Sequence, residues 1–153
     1  MYPLLLSLHS ILRWLVLASL LFSLYGAYKG YVKKRLFTLK EDALRHWTAT
    51  IAHVQLVVGF TLYIKSPIVQ FFWASSKKNT PLEISFFGWI HILLMLIAIV
   101  VITIGSAKVK RTKHDQDKFK TLLIWFGLAL LIIFLAIPWP FSPLANRPYI
   151  RPF

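Results

Sequence analysis

Four long apolar runs, separated by stretches rich in lysine and arginine, set the pattern of this chain. The first extends from about Pro3 to Tyr28 with Arg13 as its one formal charge. The second, His46 to Ile64, and the third, Ile84 to Ala107, carry none, and the fourth covers Thr121 to Ile137. A helix rises ~1.5 Å per residue, so ~20 residues cross a hydrocarbon core ~30 Å thick. Backbone groups in lipid must be paired within their own segment, which leaves the helix as the sensible structure for such runs. The fourth run is the shortest, and Phe119 and Trp139 extend it into the interfaces. The pattern predicts an all-α integral membrane four-helix bundle, up-down-up-down, as a single domain over residues 1–153.

Lysine and arginine counts orient it. The stretches Lys29 to Arg45 and Lys108 to Lys120 carry six each, against three (Lys65, Lys77, Lys78) and two (Arg147, Arg151) on the other side. The positive-inside rule places the first pair in the cytoplasm and both termini outside, N-out and C-out. In a bacterium that means a multi-pass inner-membrane protein with periplasmic termini. Tyr25, Tyr28, Trp47, Tyr63 and Trp139 fall near the predicted interfaces, as an aromatic belt should. The segment Pro138 to Phe153 has prolines at 138, 140, 143, 148 and 152 and cannot be regular helix. Its aromatic content predicts a tail that lies along the periplasmic interface or docks on a partner subunit of a membrane complex.

Composition sharpens this picture in three ways. With 58% of residues hydrophobic and 15% charged, a soluble domain of this size would lack polar surface. The net charge of +13 would raise nucleic-acid binding in a soluble protein. Here the charge lies beside apolar segments, where it faces anionic lipid, so no nucleic-acid partner is expected. The absence of cysteine excludes disulfides, thiolate-bound clusters, covalent c-type haem and a cysteine nucleophile. No basic region precedes the first apolar run and Arg13 interrupts it, so the first helix is expected to be retained rather than cleaved.

Polar groups inside membrane helices are costly and mark candidate chemistry. Those present are His9, Arg13, His53, Gln55 and His91, with His46 at the cytoplasmic boundary. Counting from the helix ends puts His9 ~9 Å and His91 ~10 Å below the outer edge, and His53 ~20 Å. Two imidazoles at one depth, on alternate helices of a bundle, form the arrangement that clamps a flat metal macrocycle. Met95 lies one turn below His91 on its face, able to replace or flank a ligand, and Arg13 lies one turn below His9. Arg13 is a candidate partner for a propionate or another anion. His53 shares a stripe with His46 and Thr50, which could serve as a proton path or quinone pocket.

A blander account stands beside each of these. A membrane histidine can simply bond a neighbouring helix, Gln55 can bridge helices, and His46 and His114 can simply be wet. Gly59, Gly105 and Gly127 permit close approach of a helix or a macrocycle. The chain has no HExxH, no phosphate-binding glycine loop and no carboxylate pair, its five acids lying in loops or at helix ends. Hydrolytic and phosphoryl-transfer chemistry are therefore not expected.

The segments Leu8-His9-Ser-Ile-Leu-Arg13-Trp14, His53-Val-Gln55 with Gly59 and Leu62-Tyr63, His91 with Met95, Ile102-Thr-Ile-Gly105, and Ile137-Pro-Trp-Pro-Phe141 carry a resemblance. Together they resemble a family of small bacterial four-helix inner-membrane proteins labelled cytochrome b-like, over nearly the whole chain. The resemblance implies haem b held by membrane histidines, with the family's polar positions falling on His9, Arg13, His53 and His91. The sequence thus leads to a b-type cytochrome-like subunit that relays electrons with a quinone or a periplasmic partner, and with His9 and His91 as the expected axial ligands. His53 is a third inner candidate without an assigned partner. The rival expectation is a cofactor-free accessory subunit of a larger membrane complex, and a copper or zinc site is a third.

Overall fold

A computed structural model describes residues 1–75, 80–145 and 147–149, and among these it is helical with no strand. Helix α1 runs over Tyr2–Val32 and α2 over Leu39–Lys65. A short α3, Pro67–Ala74, follows, then α4 over Leu82–Arg111 and α5 over Asp115–Ala136. α1, α2, α4 and α5 are each long and apolar enough to cross a membrane. The chain therefore has the form of a multi-pass membrane protein.

Each helix runs past its apolar stretch because local signals set the ends. Thr38 opens α2 with a capping box: its hydroxyl accepts from the Lys40 N–H at 3.3 Å, and Glu41 accepts from the Thr38 N–H at 3.1 Å. Ser66 and Pro67 end α2 and start α3, the serine side chain capping the new helix. α5 stops at Ala136 because Pro138 lacks the N–H that would continue the ladder.

The four long helices alternate in direction. Ser23 meets Thr48 between α1 and α2, Tyr63 meets Gly88 between α2 and α4, and His91 meets Ala136 between α4 and α5. On the fourth side, Gly30 of α1 lies so close to the Phe119 ring of α5 that a methyl group would overlap it. α1 and α4 each pack on α2 and α5, so they face one another across the core diagonal. The start of α1, the α3 region and the segment after α5 all gather at one end of the bundle, hereafter the termini end.

The core is built from Leu20, Ala52, Ala98, Ile102, Phe126 and Ala129, among others, all buried. Small residues and short hydroxyls sit between helices, as expected where packing rather than water drives association. Ser23 and Thr48 exchange a hydrogen bond at 2.8 Å, and Thr48 also reaches the Ser19 carbonyl at 3.2 Å. At the opposite end, buried Arg45 pairs with Asp42 at 2.9 Å and donates to the Ser106 hydroxyl. Phe22, Val57, Val100 and Leu131 are more than half exposed and form the lipid-facing exterior.

Candidate functional site

The termini half of the bundle encloses a chamber of about 200 Å³ between α1, α2 and α4. Its lining is mostly apolar, and the polar groups that enter it include Tyr2, His9, Arg13, Gln55 and His91. Phe60, half exposed, stands at its lipid-facing edge.

Two imidazoles meet across the diagonal at this level. The rings of His9 and His91 lie 6.4 Å apart between centroids, with planes at 71°. Their surroundings differ. His91 Nδ1 donates to the Ala136 carbonyl at 2.8 Å, which makes Nδ1 the protonated nitrogen and leaves Nε2 with its lone pair. That carbonyl is available because α5 ends there, and the last carbonyls of a helix have no partner in the ladder. Its neighbours are satisfied locally: Ile133 accepts from the Ile137 N–H at 3.0 Å, and Phe134 from the Trp139 indole at 2.8 Å. A π turn over Phe86–Ile90 leads directly into His91, an irregularity often found beside functional groups.

His9 is held otherwise. The Gln55 side-chain nitrogen donates to the His9 carbonyl at 3.0 Å and lies 3.4 Å from His9 Nε2. The first bond fixes the direction of the amide, so its second N–H points at Nε2 and the ring proton belongs on Nδ1. His9 Nδ1 is buried without a hydrogen-bond partner, as is Gln55 Oε1. The ring lies against Gly59, where an added Cβ would stand 3.0 Å from His9 Cε1 and 3.4 Å from Nδ1. Gly59 thus makes the seat of the ring.

The remaining predicted residues fall in three places. Met95 and Arg13 line the same chamber. The Arg13 guanidinium donates to the Tyr149 carbonyl, which also accepts from the Trp14 indole at 3.1 Å. His53 is exposed on the flank between α2 and α4 and does not line the chamber. Its Nδ1 donates to the Ala49 carbonyl at 2.6 Å, and its Nε2 lies 3.1 Å from the Thr103 hydroxyl. His46 is exposed at the other end, edge-on to Trp47.

The described part of the tail folds back on its own bundle. Trp139 packs edge-on to Trp14 at 6.0 Å, Arg147 pairs with Glu83 at the start of α4, and Arg147 and Pro148 reach the chamber wall. No local pattern in the sequence marks the Tyr149 or Glu83 contacts. The Ala136 contact has a signal in Pro138 that was open to reading, since a proline just past a helix leaves carbonyls to be claimed.

The residue types suit a metal macrocycle, with two imidazoles 6.4 Å apart between centroids, an apolar lining and a glycine at the ring seat, although His9 Nε2 already faces the Gln55 amide. The chamber is smaller than the ~300–1,000 Å³ usual for pockets of drug-sized ligands, so it would have to widen to take a macrocycle. Among the described residues no group of three or more His, Cys, Asp or Glu side chains is placed to hold a bare metal ion. No protein-family model, no curated protein and no solved structure matches the chain, so the site stands on its own geometry.

Proposed function

We propose that the chain is a b-type cytochrome-like electron-relay protein of a bacterial inner membrane, with both termini periplasmic and haem b held between His9 and His91. One observation carries this reading: imidazoles from diagonal helices meet with centroids 6.4 Å apart. Metal–imidazole bonds of ~2 Å place two rings on opposite sides of one metal at about that centroid spacing. Bound there, haem would supply one-electron ferrous–ferric exchange.

The chain's own residues do the rest. Ala136 fixes the tautomer and direction of His91, as outer-shell acceptors do for ligating histidines. Leu56, Ile92, Ala98 and Ile133 keep the site dry, which tunes its potential. Arg13 is a cationic group on the chamber wall, as is Arg147, and would be the residue to meet a propionate. Electrons would pass to a quinone or to a partner subunit.

The test is a pyridine haemochrome assay on detergent-purified protein expressed with ample haem. Near-unit haem b, lost in the double variant His9→Ala/His91→Ala, supports the reading. Monodisperse, helical protein without haem overturns it. A second reading has one observation in its favour: His9, His53 and His91 each have a hydrogen-bonding contact within the bundle. That is what a cofactor-free accessory subunit would show, and the haem-free outcome would select it.

A further inference from the structure

At the termini end, α5 stops short of its neighbours. Its last turn is level with His91 of α4, which donates to the Ala136 carbonyl, and Trp139 just beyond it packs on Trp14 of α1. From those levels α1 continues from Trp14 to Tyr2, ~18 Å of helix, and α4 from His91 to Leu82, ~14 Å. One corner of the four-helix bundle is therefore without a helix over that height, and it is the corner that would screen the chamber between α1 and α4. The tail, over 138–145 and 147–149, fills it. Both ends of this segment line the chamber, Pro138 at one and Arg147 with Pro148 at the other.

The two ends are held differently. The near end is fixed: Trp139 donates its indole N–H to the Phe134 carbonyl at 2.8 Å and packs among Trp14, Phe134 and Phe141. At the far end Arg147 pairs with Glu83 and lies over the Phe87 ring at 4.8 Å, while the Tyr149 carbonyl accepts from Arg13 and Trp14. The glutamate of that pair is half exposed, and exposed pairs hold weakly. Prolines at 138, 140, 143 and 148 keep the segment from winding into helix and remove N–H groups that would otherwise need partners.

We infer that this segment is a hinged side wall of the chamber, anchored at Trp139 and latched by Arg147 on Glu83, whose release opens the way in and out for the chamber's occupant. The three helical walls are tied along their length by backbone ladders, whereas this one is held at its far end by side-chain contacts. A chamber of about 200 Å³ that must widen for a larger group widens most readily here. The wall serves any occupant, so it stands or falls apart from the haem reading.

The chain has no cysteine, so a single introduced thiol reports access. Ala145→Cys places it on the buried side of the wall. Ser10→Cys places it in the chamber lining beside the wall, since Arg13 reaches both the Ser10 hydroxyl, at 3.5 Å, and the Tyr149 carbonyl. Lys113→Cys, exposed at the opposite end, is the reference. Each purified protein is reacted in detergent with a water-soluble cationic methanethiosulfonate reagent. With the latch intact, the thiols at 145 and 10 should react at least tenfold more slowly than the reference. Glu83→Gln should speed both about fivefold and Arg147→Ala about tenfold, with the reference unchanged. The exchange Glu83→Arg/Arg147→Glu should protect both thiols better than Glu83→Arg alone, which a damaged fold would not do. Rates that no latch variant changes, or a thiol at 145 set free while the one at 10 stays protected, overturn the inference. Haem-free protein that shows the expected pattern removes the haem reading alone, and haem-loaded protein that lacks it removes the wall alone.

Discussion

At the scale of single residues, Gly59 is the position where the smallest change has the most specific consequence. A methyl group there stands 3.0 Å from His9 Cε1, closer than a relaxed contact allows, so the ring must move by a few tenths of an ångström. Gly59→Ala should cost about 1 kcal/mol or slightly more in stability, as modest overpacking does. Its sharper readout is electronic. The His9 and His91 ring planes stand at 71°, and were both to hold haem their relative orientation would be read in the EPR signal of the oxidised protein. Gly59→Ala should shift that signal while total haem stays near the wild-type level. An unchanged signal would mean that His9 is not the ligand seated on Gly59.

Residue counting along the helices was enough to place His9 and His91 at one depth, because helical rise fixes depth. It could not show that Gln55 turns onto His9, because rotation about each helix axis is decided by packing with its neighbours. The bridging role open to Gln55 in the sequence is the one it has, and its target is the candidate ligand itself. Likewise, nothing in the pattern marks His53 as facing outward toward Thr103 rather than into the chamber.

At the scale of elements, ends matter more than middles. The apolar runs make the four spans legible, but the helices continue through Lys29 to Val32 and Leu39 to Arg45, where charge hides the helical pattern. The capping box at Thr38 is the readable signal for the second of these extensions. Buried Arg45 then ties the beginning of α2 to α4 through Ser106, with Asp42 as counter-ion. Arg45→Ala strands the Ser106 hydroxyl and leaves Asp42 without its partner, which predicts a loss of about 1–3 kcal/mol. Thermal unfolding in detergent checks this against Lys34→Ala, an exposed turn position expected to stay within ~0.5 kcal/mol. Equal stability of the two variants would show that Arg45 lies there without consequence.

At the scale of the whole molecule, the alternating helix directions bring the start of α1 and the segment after α5 to one end, and the chamber belongs to that end. The proposed periplasmic facing of this end rests on charge: the stretches Lys29 to Arg45 and Lys108 to Lys120 lie at the other end with six cations each. A C-terminal alkaline phosphatase fusion should therefore be active and a C-terminal green fluorescent protein fusion dark in a bacterial host. The reverse pattern would put the chamber on the cytoplasmic side. The tail expected to lie on a partner or on lipid is found, over its described part, packed on Arg13, Trp14 and Glu83. Sequence could announce that it is not helical, yet its route depends on long-range contacts that no local pattern encodes.

Haem held in the chamber by His9 of α1 and His91 of α4 is the proposal on which the function rests. It is tested most directly by the visible absorption spectrum of the purified protein, oxidised and then reduced with dithionite. Sharp reduced α and Soret bands of a haem b, lost in the double variant His9→Ala/His91→Ala, are the predicted result. A folded, monodisperse wild type, expressed with ample haem and showing no difference between its oxidised and reduced spectra, would contradict it.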